Sequence, residues 1–425
     1  MLNIAISFIA LVFLLSLVAY VLILIANSSR ALAINQKRAD LEGELLKVRV
    51  DQIIDEKRLE SERAKLSWNG FRKFRIVSKE KETKDITSFY LAPHDGKPLP
   101  GFLPGQFLTF QFHIPGQAQP VIRCYSLSDS PYHPDRYRVS IKKVPAPRDE
   151  PSAPPGLVSS YFHDSLNEHD IVDVKAPSGH FYLDMNEKKP VVLLSGGVGI
   201  TPVLSMLNAL VEIDSQREIW FCLGVRDKTE HVMKEHLEKV ARENPNVNLK
   251  IFYSRPGEND LKGDDYHVEG RVTVENLKPL LPSNNYEFYI CAPPPMVKDL
   301  RAGLASWGVP KTSIHFEAFG PATVKKCTVD SQADAKKEDA PKIDIRFTKS
   351  GKILPWNPNL TSLLEFAEKN GIPLDSGCRA GNCGTCLTAI KSGEVTYVGE
   401  PGSLPEAGSC LACIAVPKGD LTLDA

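Results

Sequence analysis

Four cysteines near the carboxy end carry the clearest chemistry in this 425-residue chain. Cys378, Cys383 and Cys386 follow a C-x4-C-x2-C spacing, and Cys413 stands 27 positions further on. Three close thiolates and one distant one can wrap a pair of sulfide-bridged irons, a [2Fe-2S] cluster that passes one electron at a time. The residues between them are small: Ser376, Gly377, Ala380, Gly381, Gly384 and Thr385. Glycines let the backbone come close and aim N–H groups at sulfur. A structural zinc site is the rival use of such thiols, but zinc usually draws on two close pairs rather than one triplet. Cys410, three residues before Cys413, is a second candidate for the fourth ligand.

Three other constellations suit nucleotides. Arg123-Cys124-Tyr125-Ser126 reads as strand, with Arg123 and Tyr125 on one face and Cys124 and Ser126 on the other. Gly156-Leu157-Val158-Ser159 looks like a glycine-led helix start, able to offer N–H groups and a hydroxyl to phosphate. Gly196-Gly197-Val198-Gly199, then Thr201 and Pro202, follows the apolar strand 191–194. It opens an amphipathic helix on Val203, Leu204, Met206, Leu207 and Leu210. Such a loop admits a pyrophosphate and places it at a helix N-terminus. It is not the G-x-G-x-x-G fingerprint, so a standard Rossmann site is not implied.

The elements that must position these residues change character along the chain. Residues 1–28 form an uncharged apolar run up to Ala26, long enough to span a bilayer as a retained anchor. Ala31-Leu-Ala33 could pass for a signal-peptide cleavage site, but the basic leader is missing. Arg30, Lys37 and Arg38 follow the span, which puts the body on the cytoplasmic side of an inner membrane as a single-pass protein. Residues 29–66 are charged and helix-prone, a solvated spacer. Short strands divided by Pro and Gly turns over 67–187 predict an antiparallel β-barrel, with strands over 71–77, 86–91, 106–112, 137–144 and 171–176. Alternating strands and helices over 188–320 predict an α/β domain with a parallel sheet. Residues 321–341 are polar and charged, a flexible linker, and 342–425 form the cluster domain. The other five cysteines show no paired framework, which agrees with a reducing compartment. A net charge of −1 gives no electrostatic footprint for nucleic acid.

Taken in order, these segments carry a family resemblance. Residues from about Ile343 to Ala425 resemble plant-type ferredoxin domains of the α+β β-grasp type. Residues from about Trp68 to Pro321 resemble a ferredoxin-NADP reductase-type module, as in the reductase half of flavohaemoglobins and in oxygenase reductases. The matching segments are Arg123 to Ser128, Gly156 to Ser159, Gly196 to Pro202, Tyr289 to Met296 and His315 to Pro321. The resemblance implies FAD, with Arg123 at its pyrophosphate, Cys124 beside it, Tyr125 packed on it and Ser126 near its N5. It implies that Gly156, Leu157, Val158 and Ser159 hold flavin phosphate, and that Gly196, Gly197, Gly199, Thr201 and Pro202 hold the nicotinamide dinucleotide. It puts Cys291 near the nicotinamide and Phe319 near the flavin ring, with Ser126, Cys291 and Phe319 as the catalytic set. Ala292 stands where the family usually has glycine.

Arg226 and Arg255 are candidates for the adenosine end. The Ser254-Arg255 pair with Lys262 would suit the 2′-phosphate of NADPH, but Glu258, Asp260, Asp264 and Asp265 crowd that loop, so the expected donor is NADH. The implied activity is NAD(P)H-dependent electron transfer through FAD to the [2Fe-2S] cluster, and on to an oxygenase, demethylase or desaturase. With no globin segment ahead of the module, flavohaemoglobin activity itself is not expected. Quinone reduction is the second reading, since the F subunit of the sodium-translocating NADH:quinone reductase joins an anchor to the same modules in reversed order. A membrane-tethered redox sensor without turnover is the third.

Overall fold

The computed structural model describes the whole chain except residues 1, 118–119, 147–151, 320–342, 378, 380, 382–383, 399–400 and 402–404. Cys378, Cys383 and the linker expected over 321–341 therefore lie outside the described residues. The chain divides into two compact units, residues 1–65 and 66–425.

The first unit is one helix, α1 (Leu2–Leu66), with no break between its apolar and charged stretches. Its 65 residues make a rod roughly 100 Å long. Phe13, Leu15, Leu22 and Ile25 are exposed along it, and the span within Phe13–Asp51 is long and apolar enough to cross a membrane.

The second unit begins with β1 (Arg72–Lys81), β2 (Ile86–Pro93), β3 (Phe107–Phe112), β4 (Val121–Ser126), β5 (Tyr137–Lys142), α2 (Leu157–Asp164) and β6 (Ile171–Val174). The strands form an antiparallel sheet in the order β4-β3-β6-β1-β2-β5. A bridge between Leu127 and Val139 brings the two edges together and closes the barrel. Alternate residues turn inward, so Phe74, Phe89, Phe110 and Tyr137 are buried, and Phe162 of α2 is buried with them. The fifth strand stops at Lys142 rather than Val144, because the Val144 N–H is taken by the Ser159 hydroxyl at 3.1 Å.

Next come β7 (Val191–Gly196), α3 (Ile200–Glu212), β8 (Ile219–Val225), α4 (Lys234–Glu243), β9 (Val247–Tyr253), β10 (Val268–Glu269), α5 (Val274–Leu277), β11 (Glu287–Ala292), α6 (Pro294–Ser306) and β12 (Ile314–Ala318). The strands are parallel in the order β10-β9-β8-β7-β11-β12. The order reverses between β7 and β11, and that crevice is where open parallel sheets bind ligands. Every residue of β7 is buried, as a central parallel strand requires.

The last domain holds β13 (Asp344–Phe347), β14 (Lys352–Pro355), α7 (Leu363–Lys369), β15 (Leu387–Ser392), β16 (Val395–Tyr397), β17 (Ser409–Leu411), β18 (Ala415–Pro417) and β19 (Leu421–Leu423). Its main sheet runs β14-β13-β19-β15-β17, with the first and last strands, β13 and β19, parallel. Helix α7 starts at an N-cap: Ser362 accepts from the Glu365 N–H, and Glu365 accepts from the Thr361 N–H just ahead of the cap. The architecture is the expected one: an antiparallel barrel, a parallel α/β domain and an α+β ferredoxin-like domain.

Helix α3 departs from the amphipathic expectation. It is buried on every face from Ile200 to Leu210, because its polar side meets the barrel. The Ser205 hydroxyl donates to the Asp129 carbonyl at 2.7 Å, and the Asn208 amide donates to the Asp129 carboxylate at 3.3 Å. Behind Asp129 a polar chain continues through the Arg138 guanidinium at 3.5 Å to Ser128, Ser140, Ser88 and Glu82. On the other side His236 of α4 reaches Asn208 at 2.8 Å. Removing one partner of a buried ion pair strands the other. Asp129→Ala should therefore destabilise the protein by about 3 kcal/mol, read as a lower urea midpoint. Asp129→Asn, which keeps an acceptor for Asn208 and for the Ser130 N–H, should cost clearly less.

Candidate functional site

Residues 123–126 lie on β4 with half-buried side chains that end in buried Ser126. The Tyr125 ring stands 5.3 Å from Phe162 and 5.8 Å from Phe110, so the face of β4 that bears it looks onto α2. Burial raises the Tyr125 phenol well above its ordinary value and keeps it neutral. Arg123 donates to the Ile122 carbonyl at 2.7 Å. The Cys124 sulfur lies 3.4 Å from the Thr109 hydroxyl.

Gly156 is the N-cap of α2, and a Cβ there would meet Ser159 Oγ at 2.6 Å and Val144. Leu157 is exposed, and Val158 and Ser159 are buried. The Ser159 hydroxyl is not turned outward to a phosphate. It donates to the Gly156 carbonyl at 3.0 Å and accepts from Val144 N–H, so it braces the turn. The next residue, Ser160, has a buried hydroxyl without a hydrogen-bond partner among the described residues. Sequence reasoning did not single it out, and an unpaired buried hydroxyl at a helix start fits an absent anion. The segment therefore suits flavin phosphate through backbone N–H groups and Ser160.

The second half-site sits at the reversal between β7 and β11. Gly196 ends β7, and a Cβ there would press on Met296, Pro293 and Ala292. Gly197 has φ +57°, a left-handed conformation natural to glycine. Gly199 lies against β11 so closely that a Cβ would be 2.2 Å from the Cys291 carbonyl oxygen. Thr201 and Pro202 are buried in the first turn of α3, and the Thr201 hydroxyl bonds the Val198 carbonyl at 3.2 Å. Cys291 is fully buried, and burial, then the charge of Glu317, raises its thiol well above the ordinary range. Phe319 follows β12, donates its N–H to the Ala292 carbonyl at 3.1 Å and packs on the α/β core. Gly196, Gly197, Gly199, Cys291 and Phe319 are thus gathered at one end of the sheet, in a cradle that fits a dinucleotide.

Arg226 and Arg255 follow β8 and β9 and are neighbours, the Arg255 N–H donating to the Arg226 carbonyl at 2.8 Å. The acidic loop expected to oppose a 2′-phosphate is partly neutralised. Asp265 is buried and ion-paired to Lys234 at 2.8 Å and Lys228 at 2.9 Å, which hold its carboxyl well below the usual range. Asp260 accepts the Gly257 N–H at 2.8 Å. The anion that does face an arginine is Glu230, 3.2 Å from Arg226.

In the last domain the sheet explains the sulfur geometry. Cys386 precedes β15 and Cys413 follows β17, and the pairing of Leu387 with Leu411 brings their Sγ atoms to 3.1 Å. Cys410 lies inside β17, buried, with burial pushing its thiol up to about 12. A Cβ on Gly381 would collide with Ile414, the residue after Cys413. Two adjacent thiols, with a glycine of the loop packed beside them, fit a [2Fe-2S] cluster.

The same loop touches the barrel. Lys175 pairs with Asp375 at 3.7 Å, and His180 lies 3.4 Å from where a Gly384 Cβ would stand. No local signal marks these residues, because the contact joins distant segments.

Three family descriptions match in the same order as these sites. The oxidoreductase FAD-binding domain covers residues 73–182, the oxidoreductase NAD-binding domain 193–302, and the 2Fe-2S iron-sulfur cluster binding domain 345–418. A flavohemoprotein of Bacillus thuringiensis subsp. konkukian is 45% identical over 255 residues, 60% of this chain and 62% of that protein. The chain therefore spans less than two thirds of that relative. The flavohem-like FAD/NAD-binding domain of a nitric oxide dioxygenase from Vibrio cholerae O1 biovar El Tor is 30% identical, with a TM-score of 0.53 over 60% of this chain and 100% of that one. Phthalate dioxygenase reductase, described as a modular structure for electron transfer from pyridine nucleotides to [2Fe-2S], is 27% identical. Its TM-score is 0.53 over 84% of this chain and 98% of that one.

Two outcomes follow from this geometry. Cys413→Ser should abolish the cluster absorbance while flavin remains bound, and Cys410→Ser should keep both; a cluster lost only in the second variant would reverse the assignment. Gly199→Ala should destabilise the α/β domain by about 3 kcal/mol and weaken nicotinamide nucleotide binding, measured by urea unfolding and by titration.

Proposed function

Because the chain belongs to the ferredoxin-NADP reductase-type family of FAD- and NAD-binding reductases, here fused to a [2Fe-2S] domain, we propose that it is the membrane-tethered reductase of an oxygenase-type system. It is an NAD(P)H-dependent flavin and iron–sulfur oxidoreductase. The bound groups supply two-electron acceptance from NAD(P)H at FAD and one-electron delivery through the cluster.

The chain's own residues then bind, orient and shield. Arg123, Gly156 to Ser159 and Ser160 would hold flavin phosphate, and Tyr125 and Ser126 would line the flavin. Gly196 to Pro202 would hold the dinucleotide, with Cys291 and Phe319 at its nicotinamide end. A neutral, buried Cys291 thiol keeps that end free of fixed negative charge. The observation that carries the reading is the cluster loop against the barrel, through Lys175–Asp375 and His180 beside Gly384. It supports a cluster held beside the domain that would carry the flavin.

The similarity to phthalate dioxygenase reductase across most of both chains supports an oxygenase-class acceptor. The exposed apolar helix supports a membrane tether, with Arg30, Lys37 and Arg38 on the cytoplasmic side. It also favours a quinone dissolved in the bilayer as the second reading of the acceptor. Glu230 against Arg226 favours NADH, since a 2′-phosphate would have to displace that carboxylate.

Anaerobic titration of the detergent-solubilised protein with NADH, then NADPH, tests this through flavin and cluster absorbance. Both centres should bleach, with NADH the tighter donor, and the protein should turn over ferricyanide. A flavin that bleaches while the cluster stays oxidised would sink the conduit reading.

A further inference from the structure

Strands β8 and β9 run side by side and end together, with Val225 opposite Tyr253. Arg226 and Arg255, the candidates for the adenosine end of the dinucleotide, stand just past those ends. Two backbone bonds carry the pairing a step further: the Ser254 N–H donates to the Val225 carbonyl at 3.0 Å, and the Arg255 N–H to the Arg226 carbonyl at 2.8 Å. The chains then part. One enters the short turn Lys228–Glu230. The other forms a loop that comes back against β9 at His267, whose N–H donates to the Ile251 carbonyl at 2.9 Å.

One side chain meets both segments. Tyr253 is fully buried at the end of β9, and its hydroxyl shares a 2.9 Å hydrogen bond with Nδ1 of His231, the buried residue that follows the turn. The two rings stand nearly perpendicular, 5.8 Å apart. The Tyr253 ring also stacks on Tyr266 of the returning loop at 4.9 Å. Glu230, beside His231, is the carboxylate paired with Arg226. Asp265, beside Tyr266, ties the returning loop to Lys228 of the turn. A phenylalanine at 253 would fill the same space, and a buried polar pair earns its place where it fixes one geometry. Burial, then the charge of Lys234, pushes the His231 imidazole down to about 4, and burial raises the Tyr253 phenol. Both groups are neutral at physiological pH, so the bond needs no titrating charge.

We propose that Tyr253 and His231 are positioning residues of the adenosine subsite: their hydrogen bond holds the turn that carries Glu230 against the strand that leads to Arg255, and so fixes the spacing of Arg226 and Arg255 before the nucleotide arrives. This rests on the reading that those two arginines meet the adenosine end. A site ordered beforehand loses less freedom when its ligand binds. Cys291, at the nicotinamide end, lies on β11, with β7 and β8 between it and β9. The pair therefore acts on nucleotide affinity and not on the hydride step.

The test uses the full chain in detergent with flavin and cluster bound. It compares NADH with reduced nicotinamide mononucleotide, which lacks the adenosine part. Stopped-flow flavin reduction gives a half-saturating concentration and a limiting rate for each donor. Tyr253→Phe and His231→Leu should each raise the half-saturating NADH concentration about fivefold, the equivalent of one buried hydrogen bond. The limiting rate and the mononucleotide reaction should stay as in wild type. His231→Asn, whose amide can stand in for Nδ1, should recover most of the NADH affinity, and failure to recover would count against the proposal. Arg226→Gln and Arg255→Gln test the underlying reading and should each weaken NADH. Wild-type NADH affinity in Tyr253→Phe and His231→Leu, with either arginine variant weakened, would overturn the proposal alone. Wild-type affinity in both arginine variants would remove the adenosine reading and the proposal with it. Equal losses with NADH and the mononucleotide, or a fallen limiting rate, would mean a general distortion of the domain and would also overturn it.

Discussion

A helix buried on every face from Ile200 to Leu210 joins the two halves of the reductase module. Helix α3 packs its apolar residues on the parallel sheet and its polar ones, Ser205 and Asn208, on Asp129 of the barrel. Its first turn is the end of the glycine loop. The element that presents the dinucleotide loop is therefore the element that fixes the barrel. Because buried polar groups must be paired, the Asp129 contact works only in one relative placement of the two domains. A slide of even a few ångströms would break the hydrogen bonds that Ser205 and Asn208 make to Asp129.

The second constraint is steric. Parallel strands β7 and β11 lie side by side where the sheet order reverses, and the loop leaving β7 crosses directly over the Cys291 carbonyl. Only glycine at Gly199 permits that approach. Where the family usually has glycine, Ala292 adds a methyl group that sits near Gly196, and the absence of a side chain at Gly196 makes room for it. The substitution is accommodated by a neighbour rather than by a shift of the strand.

Much of this was legible in the sequence because the chemistry is local. The cysteine spacing and the glycine loop after an apolar strand each specify their surroundings within a dozen residues. The fold class followed from strand and helix periods for the same reason. What periodicity cannot show is a second buried face. The apolar stripe of α3 predicted one side in the core, but Asp129, which buries the other side, lies 79 positions from Asn208. The acidic loop misled for a similar reason: Asp265 reads as free charge until Lys228 and Lys234 fold onto it. Ser159 reads as a phosphate hydroxyl until Val144 N–H claims it. The barrel contact of the cluster loop joins Lys175 to Asp375 across domains, and nothing in either local sequence announces the other.

Burial also sorts the sulfur chemistry of the molecule. Only a thiolate is a good nucleophile, and the protein interior raises the Cys222 and Cys410 thiols to about 12 and Cys291 well above its ordinary range. At neutral pH these three stay protonated and shielded. A protein that handles single electrons in the presence of oxygen is exposed to peroxide and superoxide. The depth at which Cys222, Cys291 and Cys410 lie makes their sulfurs poor targets for such oxidants, so the packing that forms the sheets also shields them from oxidation.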